Sequence, residues 1–393
     1  VSAVLVFGLE ATVDAAWSGS LLLAAMAYIT TRAAVIQLGD HARAEHDTIT
    51  YSVLQCVWPV IGLGLGLVLV KVFGPSAAAV LWGYTAAQLL SIVIAFMRLD
   101  IGWNPQKFST DIYRQAMRYG LPLLVGGILT WVANNGLRFI VEHLEGAVAV
   151  GLVTVGWALG LRAAAFASML VTAAAFPLAV KRAREGSMSD GQRQLEQNGV
   201  LLLAALLPAG AGLWLVSGPF VTLLIAEPYR EMTAAVLPMA ILAGTLRNFS
   251  IHFGQQVFLL RERPMVPLFN DFLDATLSLA GAVVGLWIGG LPGSVAGVAV
   301  AAFISLFVTL VVGWKLYRFA VPVLDVLKIA VATAAMAFVV SRLNIAPTAL
   351  SITIAALVGA ATYTIALALL YPQGVRAAWS LVSGNNAIKP KAS

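Results

Sequence analysis

The stretch TLRNFSIHFG, Thr245–Gly254, decides the fold of this chain because it repeats an earlier stretch, TTRAAVIQLG, at Thr30–Gly39. A threonine, an arginine, an isoleucine and a glycine recur at matching positions, displaced by 215 residues (245 − 30). The same displacement carries Gly66 onto Gly281. A repeat on this scale predicts a chain built from two related units.

Both copies lie in strongly apolar sequence. The 393 residues are 60% hydrophobic and 11% charged, and the mean hydropathy is +0.90, which is far outside the range of soluble domains. Apolar runs of roughly 18 to 25 residues recur along the chain, and each can cross a hydrocarbon core about 30 Å thick. We therefore predict an all-α polytopic membrane protein with about 11–12 transmembrane helices in two related helical lobes around a central cavity.

The predicted spans follow one another with short connections. They lie at about Val1–Leu9 (a partial span), Ala16–Leu38, Ser52–Val72, Ala77–Met97, Gly120–Val141, Val148–Val180, Val200–Ile225, Met232–Phe253, Leu268–Ile288, Ser294–Trp314, Val326–Val340 and Leu350–Leu370. Lysine and arginine gather in alternate loops, which indicates that those loops and the C-terminus are cytoplasmic. This bias accounts for the net charge of +6, so we do not expect nucleic-acid binding.

The repeat also predicts the domain organisation. Residues 1–98 form a partial first lobe, and residues 99–318 form a second six-helix lobe with an interfacial segment at 99–113. Residues 319–393 add two helices and a basic cytoplasmic tail. Because about a hundred residues of the second unit have no counterpart upstream of Val1, we expect two helices and most of a third to be absent from the first lobe.

Three stretches carry a resemblance to a known family. They are RAAVIQLGDHARAEHDTITY (Arg32–Tyr51), YGLPLLVGGILTWVANNGLRFIVEHLEGAVAVGLVTVGWALG (Tyr119–Gly160) and LLPAGAGLWLVSGPFVTLLI (Leu206–Ile225), and the turn at Gly290–Gly297 completes the likeness. Their order resembles the polysaccharide-export branch of the multidrug/oligosaccharidyl-lipid/polysaccharide (MOP) flippase superfamily. Family members often carry an aspartate where this chain has Asn134 and Asn135 ahead of Arg138, which weakens an inference of ion coupling at that position.

The resemblance implies a flippase of the bacterial cytoplasmic (inner) membrane. Its substrate would be an undecaprenyl-pyrophosphate-linked oligosaccharide, moved to the outer leaflet by alternating access for O-antigen, exopolysaccharide or capsule synthesis. Its partners would be this substrate, membrane lipid and a polysaccharide polymerase with export machinery. A cation-coupled multidrug exporter of the same superfamily is the alternative, but it needs a buried carboxylate, and none is evident in the spans. A polysaccharide polymerase or glycosyltransferase is less favoured because the outer loops are too short for a catalytic domain.

Polar side chains inside the spans are the candidate substrate-binding residues, because charge is costly there and usually functional. They are Arg32, Arg138, Arg162, Arg247, Asn134, Asn135, Asn248, His252 and Gln255. Arginine suits a pyrophosphate because its planar fork donates paired hydrogen bonds and stays charged. The arginines can instead extend to the nearest interface, and the stripe from Arg247 to Gln255 can instead bond neighbouring helices.

Other polar residues have local interpretations. Asp271 and Asp274 lie near the cytoplasmic start of their span, and we expect them to pair with Arg261 and Arg263. We identify no catalytic residue, metal ligand set or cofactor motif.

Overall fold

The computed structural model describes residues 19–45, 47–99 and 109–372. Nine of its segments are long and apolar enough to cross a membrane. Two of them, Thr110–Met169 and Met265–Tyr317, each contain a break that folds the chain back, so the described residues hold eleven membrane-crossing helices. The predicted all-α polytopic fold is confirmed. The predicted partial span at Val1–Leu9, most of the interfacial segment and the basic tail lie outside the described residues.

The first compact unit, residues 1–109, contains three described helices. They are α1 (Gly19–Ala44), α2 (Thr48–Phe73) and α3 (Ala77–Arg98). Asp47 caps α2 by accepting a hydrogen bond from the Thr50 amide, which satisfies one of the free donors at the helix start. Gly74 ends α2 with φ +89°, and α2 and α3 then pack so closely that a side chain on Gly83 would collide with the backbone of Gly66.

The second compact unit, residues 110–393, contains the remaining helices. They are α4 (Thr110–Glu185), α5 (Met188–Leu215), α6 (Ser217–Leu224), α7 (Glu227–Phe249), a π-helical segment (Ser250–Gly254), α8 (Gln256–Leu260), α9 (Met265–Tyr317), α10 (Val323–Ser341) and α11 (Ala349–Leu370). Gly146 at φ +83° breaks α4, and Gly289 and Gly290 break α9, so each long helix forms a helical hairpin.

The hairpin within α9 has the same construction as the α2–α3 hairpin. A side chain on Gly281 would collide with Gly297, and one on Gly285 would collide with Gly293. Gly281 is the repeat partner of Gly66, and both glycines lie at the close backbone approach of their hairpin. The repeat therefore corresponds to a recurring piece of architecture, in which glycine lets two membrane helices touch along their backbones.

Side chains of the second unit form the larger core. Phe253 stacks between Phe249 and Phe319, with ring centroids 4.9 and 4.6 Å away, and a second cluster surrounds the fully buried Trp157. Many other apolar side chains are exposed, including Ile288 at 83%. Exposed apolar surface of this extent is expected of helices that face lipid.

Candidate functional site

Arg247 lies in the last turn of α7 and is buried, with 4% of its surface exposed. Its Nε donates to Asp274 Oδ2 at 3.0 Å, and its Nη2 donates to Ser278 Oγ at 2.6 Å. Its Nη1 donates to Asn134 Oδ1 at 3.1 Å. The guanidinium therefore has both an anionic partner and neutral acceptors, which is the condition for a stable buried charge.

Two hairpins bring these partners together. Asp274 and Ser278 are four residues apart on α9, so they lie on one face of that helix. Asn134 lies on the first half of α4, and its backbone carbonyl accepts a hydrogen bond from Trp157 Nε1 of the second half at 2.8 Å. The Trp157 ring centroid is 5.8 Å from Arg247 Cζ. We refer to Arg247, Asp274, Ser278, Asn134 and Trp157 as the Arg247 network.

The π-helical segment that follows α7 extends the polar contacts along α9. Asn270 Nδ2 lies 3.5 Å from Ser250 Oγ, and Ser305 Oγ donates to Asn270 Oδ1 at 3.1 Å. Gln255 is buried, and its Nε2 donates to Asp271 Oδ1 at 2.8 Å. A π-helical turn inside an α-helix often marks a functional position, and here it lies between the arginine and the glutamine that contact α9.

The expectation that Asp271 and Asp274 pair with Arg261 and Arg263 is wrong. Asp274 pairs with Arg247, and Asp271 accepts from a neutral glutamine. Arg261 donates to Gln192 Oε1 at 3.0 Å, and its guanidinium lies 4.3 Å from the Tyr317 ring centroid. The expectation that the spans hold no buried carboxylate is also wrong, because Asp274 is only 8% exposed.

Three further predicted residues, Asn248, Asn135 and His252, do not belong to the Arg247 network. Asn248 Oδ1 accepts from Ser168 Oγ at 2.9 Å, which joins α7 to α4. Asn135 donates to the backbone carbonyl of Trp131 within its own helix, at 2.9 Å. His252 is partly buried in the π-helical segment. Asn248 therefore forms a hydrogen bond between helices, the contact expected under one of the two interpretations that the sequence left open.

Arg138 and Arg162, both on α4, differ from Arg247. Arg138 lies one turn beyond Asn134, and its Nε is buried without a hydrogen-bond partner among the described residues. Arg162 is exposed within the candidate span Thr110–Met169. In the described part of the chain neither arginine forms a salt bridge.

Arg32, in the first unit, also lacks an anionic partner among the described residues. Its guanidinium lies 4.2 Å from the Trp58 ring centroid, and its Nη1 is buried without an acceptor. The repeat explains this difference from Arg247, because the position 215 residues before Asp274 is Pro59. The two arginines of the repeat therefore have different environments: Arg247 pairs with a carboxylate, and Arg32 packs against an indole ring.

An apolar groove of about 390 Å³ lies between α4 and α9, with Trp131, Phe139, Leu279 and Trp287 among its lining residues. None of the predicted site residues lines it. The candidate site is therefore defined by the chemistry of side chains within the spans.

Sequence reasoning missed Ser278 and Trp157 and gave Asp274 the wrong partner. The four-residue spacing of Asp274 and Ser278 inside an apolar helix was a signal that one helix face is polar. No comparable signal marked Trp157, whose indole nitrogen contributes only because the chain folds back at Gly146.

In the part of the chain that the structure describes, eleven helices are long and apolar enough to cross a membrane, two hairpins are closed by glycine contacts, and charged groups lie within the spans. These features define a polytopic membrane protein of the transporter type. Residues 18–234 match the family described as polysaccharide biosynthesis protein, and the chain belongs to this family. A search of curated proteins finds no match.

Solved structures share the fold at low sequence identity. The lipid II flippase MurJ in an inward closed conformation is 14% identical with a TM-score of 0.65, and the match covers 95% of this chain and 81% of that chain. A mutant of the Vibrio cholerae MATE transporter VcmN is 16% identical with a TM-score of 0.63, covering 81% of this chain and 75% of that chain. A MATE structure in the straight conformation is 14% identical with a TM-score of 0.55, covering 75% and 68% respectively. These matches show that the chain shares its fold with these transporter structures.

Proposed function

We propose that this protein is a flippase that moves an undecaprenyl-pyrophosphate-linked oligosaccharide from the inner to the outer leaflet of the bacterial inner membrane. The sugar and pyrophosphate cross through the protein while the lipid tail stays in the bilayer. Its product supplies O-antigen, exopolysaccharide or capsule assembly, where a polymerase and export machinery are the expected partners. The protein translocates its substrate without making or breaking a bond, and its C-terminus is cytoplasmic.

The observation that carries this proposal is the set of arginines within the spans that have no anionic partner among the described residues. Arg32 and Arg138 each hold a buried guanidinium nitrogen without an acceptor, and Arg162 is exposed. Unpaired cations at membrane depth are costly, and a pyrophosphate supplies the charge and oxygen atoms that they lack. Membership of the polysaccharide biosynthesis family and the fold shared with the lipid II flippase support a substrate of this class.

The site residues divide into two roles under this proposal. The proposed pyrophosphate contacts are Arg138 and Arg162 within the second unit and, separately, Arg32 within the first unit. Arg247 and Asn134 hold the second lobe together, because the donors of Arg247 are already engaged within the lobe. His252 and Asn135 remain candidates for contacts with sugar hydroxyls.

A flipping assay tests the proposal. Purified protein is reconstituted into liposomes with a fluorescent polyprenyl-pyrophosphate saccharide, and the rate at which a membrane-impermeant quencher reaches the saccharide is measured. Arg138→Gln and Arg162→Gln should each lower the initial rate roughly tenfold, since a charge-assisted hydrogen bond contributes about 1.5–3 kcal/mol. Arg184→Gln changes an exposed arginine outside the candidate spans and is the matched control. A rate no faster than in protein-free liposomes would refute the proposal.

A cation-coupled multidrug exporter is the second candidate, favoured by one observation. Asp271 lies in a candidate span, and it accepts a hydrogen bond from the neutral Gln255 amide. A carboxylate whose hydrogen-bond donor is neutral can bind and release a cation. Accumulation of a fluorescent organic cation by energised vesicles, lost on Asp271→Asn, would favour export, whereas saccharide flipping without cation accumulation would favour the flippase.

A further inference from the structure

A polar pocket of about 340 Å³ lies in the second unit where three helices begin or end. It is lined by the first residue of α5, the last residues of α8 and α9, and the turn between α8 and α9: Met188, Leu260, Arg261, Glu262, Arg263 and Tyr317. The arginines belong to a loop that the charge bias predicts to be cytoplasmic. We refer to this feature as the Arg261 pocket.

Arg261 is held in place on the wall of this pocket. Its guanidinium carbon lies 4.3 Å from the Tyr317 ring centroid, and its Nη2 donates to Gln192 Oε1 at 3.0 Å. Gln192 is held in turn, because its Nε2 donates to the Tyr317 carbonyl at 3.1 Å. A guanidinium fixed by a ring and an amide loses little side-chain freedom when it binds a ligand.

The charge of Arg261 is not neutralised within the part of the chain that the structure describes. Arg261 forms no salt bridge there, and its Nε is buried without an acceptor. Arg263 is exposed and forms no salt bridge with a described residue either, although Glu262 precedes it. The lining therefore has two unpaired arginines and one glutamate, and this excess of positive charge favours an anionic ligand.

Exposed apolar side chains lie next to the lining residues in sequence. Met265 at the start of α9 is 63% exposed, and Trp314 in its last turn is 49% exposed. Arg318 directly follows α9, and its guanidinium carbon lies 4.7 Å from the Trp314 ring centroid. Tryptophan and arginine at the end of a spanning helix are typical of the level of the lipid headgroups. We therefore expect the pocket to lie at the depth of the headgroup phosphates.

We propose that the Arg261 pocket binds the phosphate of an anionic phospholipid headgroup, with Arg261 and Arg263 as the donors. Basic pockets between membrane helices on the cytoplasmic side suit such headgroups, and the planar guanidinium fits phosphate oxygens. Glu262 opposes the ligand and limits its affinity. None of the proposed pyrophosphate contacts lines this pocket, and the inference does not rest on the proposed function.

The test is native mass spectrometry of the purified full chain titrated with phosphatidylglycerol, which measures the affinity for the first bound lipid. Arg261→Gln should lower this affinity roughly tenfold or more, because it removes both the charge and the paired donors. Arg184→Gln is the matched control: it removes an exposed arginine of the same predicted side that does not line the pocket, and general attraction to an anionic surface makes it worth about fivefold at most. Glu262→Gln removes the opposing charge and should tighten binding severalfold.

Equal losses in Arg261→Gln and Arg184→Gln would overturn the site, because they would show a diffuse attraction to the basic surface. Unchanged or weaker binding by Glu262→Gln would also overturn it, and this arm leaves Arg261 and its contacts intact. Two further ligands identify the source of the phosphate. Phosphatidylcholine should bind more weakly than phosphatidylglycerol, and inorganic pyrophosphate should not displace the lipid. Displacement by pyrophosphate would assign the pocket to a free phosphate and overturn the lipid assignment.

Discussion

Replacing Arg247 with methionine should destabilise the second unit strongly. The substitution leaves Asp274 buried without its cation, and it removes the donors to Ser278 and Asn134 as well. Removing one partner of a buried ion pair costs about 3–5 kcal/mol. Each kcal/mol shifts the melting temperature of a domain of this size by about 2–4 °C, so we expect a decrease on the order of 10 °C.

The assay is intrinsic-fluorescence melting of purified protein in detergent. The double variant Arg247→Met with Asp274→Leu removes both charges, so it should recover most of the loss. Arg193→Met is the control, because the Arg193 and Asp190 side chains are 75% and 46% exposed and their ion pair is solvated. A melting temperature for Arg247→Met equal to that of the control would refute the argument that this arginine is structural. A double variant less stable than Arg247→Met would refute the assigned pairing.

Three further predictions concern packing and capping. Gly281→Leu should abolish accumulation of folded protein in the membrane, because its side chain would meet the facing helix backbone, whereas Gly127→Leu, where nothing lies within 4 Å, should accumulate normally on an immunoblot. Trp157→Phe removes the indole hydrogen bond, so it should reduce the free energy of unfolding by about 1 kcal/mol and lower the melting temperature; an unchanged melting curve would contradict that bond. Hydrogen bonds from Thr50 hold the pKa of Asp47 below its usual value, so the stability it contributes is present above the unfolded pKa and lost as the pH falls through the lower folded value. Asp47→Ala should therefore reduce the acid sensitivity of melting, and an identical pH profile would refute this.

The sequence predicted the fold class well because the thickness of the membrane fixes how many consecutive apolar residues a spanning helix needs. It also located the arginines within the spans, since charge stands out against apolar neighbours. The division into two related lobes stays a prediction, although Gly66 and Gly281, which the repeat pairs, do both lie at backbone contacts between helices. Each of these features depends on residue type and spacing along one helix.

Partner identity could not be predicted in the same way. Arg247 meets Asp274 across 27 residues and Asn134 across 113, and the folding back of α4 and α9 decides both contacts. The π-helical turn at Ser250–Gly254 inserts an extra residue into the helical register, which no local pattern announced. The different surroundings of Arg32 follow from Pro59, a position that has meaning only once the repeat is aligned with the structure.

The glycine contacts of α9 determine which parts of the second unit can move. Helices that touch through Gly281, Gly285, Gly293 and Gly297 have no side-chain layer between them, so they cannot slide past one another without their backbones colliding. We therefore expect the two halves of α9 to move together as one rigid body. We therefore expect any change of shape during transport to occur elsewhere in the unit, for example at the π-helical turn after Arg247.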